Sequence, residues 1–330
     1  MRISVVIPTY NSEKTIRECL RSLHIQTIPP YEIIVVDGGS TDSTIETVEE
    51  FKDVKLIINE DHDTPGLARN RGAGIATGNI IFFCDSDCIA DQGALEYHQK
   101  VYKNRKDISG VMCGILSAAP RTVVSDFMQK LILTNNWLGN LNQDGTMKSH
   151  FCSANFTIKK SDFLLEKFRD DLVSAEDTEL FLRMNKNGLK IYYEPRAVVY
   201  HHHPRTVIQL FKKFMWYGEG TFQVYKLHGK NFRDRWHLYS PARYFTFNKD
   251  FLNKALFYDN RLLCKGCKFD SFQKCHIQDM QLIKNFILSD VNLLRLICVA
   301  LAAGILKQRT GYDYESTVQN FIKVTGPEKS

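Results

Sequence analysis

Four short apolar runs, each ending in polar residues and separated from the next by a helical pattern, leave this chain very few folds to choose from. They are Ile3-Ser4-Val5-Val6-Ile7, Ile33-Ile34-Val35-Val36, Val54-Lys55-Leu56-Ile57-Ile58 and Ile80-Ile81-Phe82-Phe83-Cys84. Short, β-branched runs of this kind are what strands buried on both faces look like. Ser12 is placed to cap a helix carrying Ile16, Cys19, Leu20 and Leu23 on one face. Asp42 or Ser43 is placed to cap the next, with Ile45 and Val48 inward. Strands alternating with helices predict right-handed crossovers and an α/β fold with a Rossmann-like, mostly parallel sheet and flanking helices. The strand tips then share one rim, and the rim is acidic: Thr9 and Asn11, Asp37 through Asp42, Glu60 and Asp61, then Asp85-Ser86-Asp87.

The last of these tips is the most telling. In a strand, residues i and i+2 face the same way, so Asp85 and Asp87 are expected on one side. At the carboxyl end of a parallel strand they open into the crevice where ligands bind. Two hard oxygen ligands there suit Mg²⁺ or Mn²⁺ carrying a phosphorylated substrate. A polar turn after a strand is the plain alternative, and the repetition of the arrangement along the rim weighs against it.

Val5-Val6-Ile7-Pro8-Thr9-Tyr10-Asn11, Asp37-Gly38-Gly39-Ser40-Thr41-Asp42, Gly66-Leu67-Ala68-Arg69-Asn70-Arg71-Gly72 and Asp85-Ser86-Asp87 stand in that order. As a set they resemble the nucleotide-sugar half of an inverting family 2 glycosyltransferase with the GT-A fold. Ser174-Ala175-Glu176-Asp177-Thr178-Glu179-Leu180 and Leu182-Arg183 resemble that family's acceptor-side motif. The resemblance implies a GT-A domain over residues 1–220, with a nucleotide-sugar half at 1–104 and an acceptor half at 105–220. A helical C-terminal extension, 221–330, follows. It further implies donor contacts from Pro8, Thr9, Tyr10, Asn11, Asp37 (to the base), Gly39, Arg69, Asn70, Asp85 and Ser86. Asp87 is the implied direct metal ligand, with Asp85 meeting ribose or a metal-bound water. Gly38 and Gly39 allow close backbone approach. Arg69 and Asn70, near a helix start, are expected to neutralise a pyrophosphate with help from helix amides. Ser43 is a mild departure, since the family often carries glycine or asparagine there.

In the acceptor half Asn155 reads equally as a structural turn residue or a donor-sugar contact. Ser174 to Asp177 fits a helix-capping pattern, in which Glu176 and Asp177 would merely complement the helix dipole. The functional reading makes Asp177 the base that deprotonates an acceptor hydroxyl, with Glu176 as second candidate. Arg183 either pairs with one of them or faces solvent. Ile191 to Tyr200 reads as a strand leading into His201-His202-His203. His201 matches a position where many GT-A enzymes complete the metal site; alternation puts His203 on the same face and His202 opposite. An imidazole ligand tilts the cation towards manganese.

A formal charge of +6 with dispersed basic residues gives nucleic-acid binding little support. The first strand begins at residue 2, leaving no room for a signal peptide ahead of it. Several of the nine cysteines sit inside apolar runs and read as reduced buried thiols, so a cytoplasmic protein, at most at the inner face of the membrane, is expected. The basic and aromatic stretch 207–217 would lie at a membrane interface or cover a cleft, and the apolar run 291–306 is short for a span, so any membrane contact is expected to be peripheral. Phe232-Arg233-Asp234-Arg235-Trp236 lacks the first residue of the processive-synthase motif it otherwise resembles, which favours transfer of one sugar at a time. Cys264-x-x-Cys267 with Cys275-His276 offers zinc-like ingredients, with buried thiols the plainer reading.

Together these readings predict a metal-dependent hexosyltransferase moving one sugar from a UDP- or GDP-linked donor to a hydroxyl on a lipid-linked or cell-envelope glycan. The alternatives are a polyprenyl-phosphate glycosyltransferase and a non-catalytic nucleotide-sugar-binding protein. A nucleotidyltransferase would want a glycine-rich basic loop where this chain has Pro8-Thr9-Tyr10-Asn11.

Overall fold

The computed structural model describes residues 1–59, 63–134, 141–148, 152–229 and Ala300. Glu60, Asp61, the 232–236 motif, the Cys264, Cys267, Cys275 and His276 set, and the 291–306 run apart from Ala300 lie outside the described residues.

The four apolar runs become β1 (Ile3–Thr9), β2 (Glu32–Asp37), β3 (Val54–Ile58) and β4 (Ile80–Cys84). They lie parallel in the order β3-β2-β1-β4, so their carboxyl ends share one rim. Beyond β4 the sheet changes character. It continues through β5 (Cys88–Ala90), β6 (Gly110–Ser117), β7 (Asn155–Lys159) and β8 (Ile191–His201), in the full order β3-β2-β1-β4-β7-β6-β8-β5. β7 runs antiparallel to both β4 and β6, β8 is parallel to β6, and β5 is antiparallel to β8. The sheet is therefore mixed, with β3-β2-β1-β4 as its continuous parallel stretch. β3, at the edge, is only half-buried, which explains the Lys55 inside it.

Helices α1 (Ile16–His24), α2 (Thr44–Glu49), α3 (Pro65–Ile75) and α4 (Ala94–Asn104) follow the first strands. The capping differs from expectation at α1. Ser12 accepts the Thr15 and Ile16 N–H groups through its carbonyl, while its hydroxyl is engaged with Ser86. At α2, Asp42 accepts from the Thr44 and Glu13 amides, and Ser43 makes no side-chain cap. α3 is capped by Thr64, which accepts from Leu67 N, with Pro65 in its first turn. Gly72 lets α3 lie directly on the sheet, because a Cβ there would run into Val6 of β1 and Val36 of β2. The glycines of the 66–72 motif thus serve packing as well as any ligand.

The core is strongly aromatic. Phe83, Phe163 and Phe168 form a triangle with ring centroids 5.0 to 5.5 Å apart. A polar knot lies against Phe82, whose ring centroid is 5.2 Å from that of His98: buried His98 meets Thr157 Oγ1 at 2.8 Å, Asn155 Oδ1 at 3.3 Å and Cys113 Sγ at 3.2 Å. Burial pushes the His98 pKa down to about 4, so the ring is neutral. Asn155 also donates to the Gly114 and Ala197 carbonyls, which tie β7 to β6 and β8. The residue thus lies in a strand rather than in a turn, and its amide joins three strands.

The remaining described helices are α5 (Val123–Thr134), α6 (Lys160–Glu166), α7 (Glu176–Lys186) and α8 (Val207–His228). The chain divides into two compact units, one of Met1–Arg121 with Gln129–His203, the other holding Thr122–Met128 and the residues from Pro204 onward. Residue 220, where the sequence reading places a domain boundary, falls inside α8. That helix opens with a capping box between Thr206 and Gln209; Leu210, Phe211, Phe214 and Met215 are buried, whereas Ile208, Trp216, Tyr225 and Leu227 are exposed. Among the described residues no helix is long and apolar enough to cross a membrane.

Glu32 staples the sheet at its amino end. Its carboxylate accepts from Ser4 Oγ at 2.7 Å, Thr77 N and Oγ1 at 2.6 Å, and Lys55 Nζ at 2.7 Å. Burial opposes ionisation, but these donors outweigh it and hold the pKa down at about 2. A depressed carboxylate contributes stability above its unfolded pKa and loses it as the pH falls towards the folded value. Glu32→Gln should therefore destabilise the protein near neutral pH by about 1–3 kcal/mol in urea unfolding. The gap to the wild type should narrow as the pH drops from about 4.5 towards about 2.

Candidate active site

Three strand-tip loops are cross-braced by short polar side chains. Asn11, held at a positive φ of 48°, accepts from Thr41 N at 2.8 Å, and its own N–H donates to Ser40 Oγ at 2.8 Å. Ser12 N donates to Thr44 Oγ1 at 2.7 Å, and the Ser12 and Ser86 hydroxyls lie 2.8 Å apart. Asp37 is fully buried and receives Gly39 N at 3.0 Å, Ser40 N at 2.8 Å and Ser40 Oγ at 2.5 Å. Gly39 takes a positive φ of 84° in that turn, as a residue without a Cβ can. Pro8 is paired with Val36 inside the sheet, while Tyr10 is exposed at the tip of β1. Thr9 is buried, and its Oγ1 has no hydrogen-bond partner among the described residues.

Asp85, Ser86 and Asp87 form a turn between β4 and β5, closed by Cys88 N donating to the Asp85 carbonyl at 3.0 Å. This corrects the expectation of strand alternation: the two carboxylates are engaged by different partners. Asp85 Oδ1 accepts from Arg69 Nη2 at 2.6 Å, and the other guanidinium nitrogen, Nη1, reaches Glu176 Oε1 at 2.6 Å. Arg69 is 3% exposed and lies over the Phe168 ring. Burial opposes its charge, but the two carboxylates more than compensate and raise its pKa. The guanidinium expected to neutralise a pyrophosphate ties the β4–β5 turn to the start of α7. Asn70 is likewise engaged within the protein, donating to the Phe168 carbonyl at 2.8 Å and Asp170 Oδ1 at 2.6 Å while accepting from Phe168 N.

Asp87 turns to the end of β8. Its Oδ1 lies 3.5 Å from His201 Nε2 and 4.0 Å from Cys88 Sγ, and the ligand atoms of Asp87, Cys88 and His201 all fall within 4.8 Å of one another. His201 and His203 stack with centroids 4.7 Å apart, whereas His202 faces Glu18 at 3.2 Å. A carboxylate and an imidazole converging at a strand tip fit a divalent cation of the Mn²⁺ type. Cys88 is the group missed in the sequence; its position directly after Asp87 was the signal available.

α7 begins after Ala175, which adopts the left-handed conformation (φ 59°) and makes no side-chain cap. Glu176 is turned inward to Arg69. Asp177 Oδ1 accepts from Thr178 N at 2.7 Å, and its Oδ2 sits 3.4 Å from Ser153 N. Burial raises the Asp177 pKa, the neighbouring Glu176 charge raises it further, and Arg69 only partly offsets both, leaving it at about 7. Arg183 pairs with neither of these two. It forms a fork with Glu179 at 2.7–2.9 Å and meets Glu166, fastening α7 to the end of α6.

The family model described as Glycosyl transferase family 2 matches residues 4–161. A dolichyl N-acetyl-alpha-D-glucosaminyl phosphate 3-beta-D-2,3-diacetamido-2,3-dideoxy-beta-D-glucuronosyltransferase of Methanococcus voltae is 27% identical over 235 residues, which cover 66% of this chain and 71% of that protein. A poly(ribitol-phosphate) beta-glucosyltransferase of Bacillus spizizenii is 41% identical over 124 residues, 35% of this chain and 20% of that protein. The chain thus spans only a fifth of the second relative. Among solved structures, the mannosyltransferase PcManGT from Pyrobaculum calidifontis in complex with GDP-Man and Mn²⁺ superposes with a TM-score of 0.62 at 19% identity, covering 94% of this chain and 88% of that one. S. aureus TarS 1-349 in complex with UDP-GlcNAc superposes at 0.52 and 18% identity, covering 96% and 93%. At such identities the structures establish a shared fold, the GT-A arrangement.

Removing Arg69 would strand the buried Glu176 carboxylate on one side and the partly buried Asp85 carboxylate on the other. Arg69→Met should cost about 3–5 kcal/mol in chemical denaturation. Arg69→Lys, which carries the charge without the fork, should fall between the two.

Proposed function

We propose, for a chain that belongs through residues 4–161 to glycosyl transferase family 2, that this glycosyltransferase moves one sugar with inversion from a nucleoside-diphosphate donor to an acceptor hydroxyl. The observation that carries the reading is the Asp85–Arg69–Glu176 bridge, which brings the rim of the donor half against the first turn of α7. With Glu176 engaged by Arg69, Asp177 is the carboxylate of the pair left to take a proton. A base with a pKa near 7 is matched to a hydroxyl acceptor at physiological pH.

Asp177 accepts the acceptor's hydroxyl proton as that oxygen attacks the anomeric carbon. The bond from that carbon to the diphosphate oxygen breaks, and the nucleoside diphosphate departs. Asp87 and His201 would hold a divalent cation, which when bound offsets charge on the departing diphosphate. Donor contacts are assigned to the β1 tip, where the unpartnered Thr9 hydroxyl and exposed Tyr10 lie, and to the Asp37–Ser40 turn and Ser86. Solved neighbours with UDP-GlcNAc or GDP-Man support a UDP- or GDP-linked donor. The names of the relatives, one acting on a dolichyl-linked sugar phosphate and one on poly(ribitol phosphate), support a lipid-linked or cell-envelope acceptor. Such work at the inner face of the membrane needs only peripheral contact.

Asp177→Asn keeps the shape of the side chain and removes the proton acceptor. Turnover should fall by roughly 10²–10⁴-fold, while donor affinity measured by calorimetry is nearly unchanged. In the wild type the rate should climb as the pH rises through about 7, because the raised carboxyl must lose its proton before it can act. The variant's residual rate should lack that limb. Normal turnover by Asp177→Asn, or loss of donor binding along with turnover, would overturn the assignment.

A further inference from the structure

We propose that Cys88 is a third protein ligand of the cation site, so that the site takes thiophilic ions such as Zn²⁺, Co²⁺ and Cd²⁺ far more tightly than Mn²⁺ or Mg²⁺. The inference rests on the reading of Asp87 and His201 as cation ligands and adds to them a donor of different chemistry.

The placement of Cys88 comes from the sheet. Cys88 and His201 are register partners in the antiparallel pairing of β5 with β8. Residues directly opposite one another present their side chains on the same face, with Cβ atoms about 4.5–5.5 Å apart. The turn preceding β5 then delivers the Asp87 carboxylate to the same point, anchored by His202 N donating to the Asp87 carbonyl at 2.9 Å. A tetrahedral zinc ion with its usual bond lengths keeps neighbouring donor atoms about 3.3–3.6 Å apart. Asp87 Oδ1 is already 3.5 Å from His201 Nε2 and 4.0 Å from Cys88 Sγ, and all three donor atoms lie within 4.8 Å of one another, so closing on an ion asks for side-chain shifts of about an ångström or less. All three groups sit on or beside paired strands, and the stacked His203 ring holds the His201 imidazole in place.

A buried thiol beside a strand end is usually just a small apolar side chain, and two neighbours fit that description. Cys19 and Cys84 direct their sulfurs at the Asp85 carbonyl oxygen, at 3.6 and 3.7 Å. Cys88 alone of the three meets a carboxylate and an imidazole. One oxygen, one nitrogen and one sulfur, with a position left over for a substrate oxygen, is a donor set that favours borderline-soft ions over Mn²⁺. On ligation the thiol gives its proton to solvent and binds as thiolate.

The test uses the full chain stripped of metal and titrated with Co²⁺. A thiolate-to-cobalt charge-transfer band should develop in the near ultraviolet, persist in Cys84→Ser and vanish in Cys88→Ser. Zn²⁺ affinity, measured by competition, should drop in Cys88→Ser by at least roughly 10–100-fold, with Mn²⁺ affinity changing much less. Cadmium NMR on the metal-stripped protein should show a resonance in the range of sulfur ligation that disappears in His201→Gln, a measurement that does not need the Cys88 variant to fold. If Co²⁺ binds with no such band, or the band survives Cys88→Ser, Cys88 is not a ligand and the Asp87–His201 reading stands. If neither Co²⁺ nor Mn²⁺ binds the wild-type protein, both readings fall.

Discussion

The site depends on one buried guanidinium. Arg69 sits in the middle of α3, where the helix presses on the sheet, and a charge there is tolerable only with partners. Its two partners come from opposite halves of the chain: Asp85 from the β4–β5 turn, and Glu176, 107 positions away in sequence, from the start of α7. The ion triad therefore fixes how the β4–β5 turn meets the start of α7. It also differentiates two adjacent carboxylates. Glu176 becomes the structural partner of Arg69, and its charge helps to raise the pKa of Asp177. The left-handed Ala175 that opens α7 costs on the order of 1 kcal/mol.

The first half of the fold was legible because buried parallel strands leave an unmixed signal. Ile33 to Val36 and Ile80 to Cys84 are buried throughout, and runs so short and apolar, bounded by turn residues, favour a strand buried on both faces. The second half carries no such signal. β7 mixes Asn155 and Thr157 into a strand that is nevertheless buried, because both polar side chains are satisfied by His98 and by carbonyls of β6 and β8. That β7 runs antiparallel between β4 and β6 is decided by pairing across long stretches of chain, which no local periodicity encodes.

At the site, residue types were legible and partners were not. Asp37, Asn11, Asn70 and Arg183 were recognisable as polar groups at meaningful places, yet each proves to be engaged in bracing a turn or a helix. Hydrogen-bond partners are a tertiary choice, made by whatever donor lies nearest once the loops have folded. The case of Cys88 is sharper. Strand alternation would send Asp87 and Cys88 to opposite faces, but Asp87 belongs to a turn and Cys88 opens a strand, so the rule lapses between them. That adjacency is what brings oxygen and sulfur together.

The charge on the rim explains why a cation belongs in the reading at all. The segments 8–12, 37–43 and 85–87 contain several aspartates and neither lysine nor arginine. Arg69, the nearest buried cation, is already balanced by Asp85 and Glu176. A nucleoside diphosphate approaching these loops would meet Asp87 and the ionised fraction of Asp177, and at a low effective dielectric such repulsion is worth several kcal/mol. A divalent ion held by Asp87 and His201, as proposed, would reverse the sign of the encounter and make the acidic rim compatible with a phosphorylated donor.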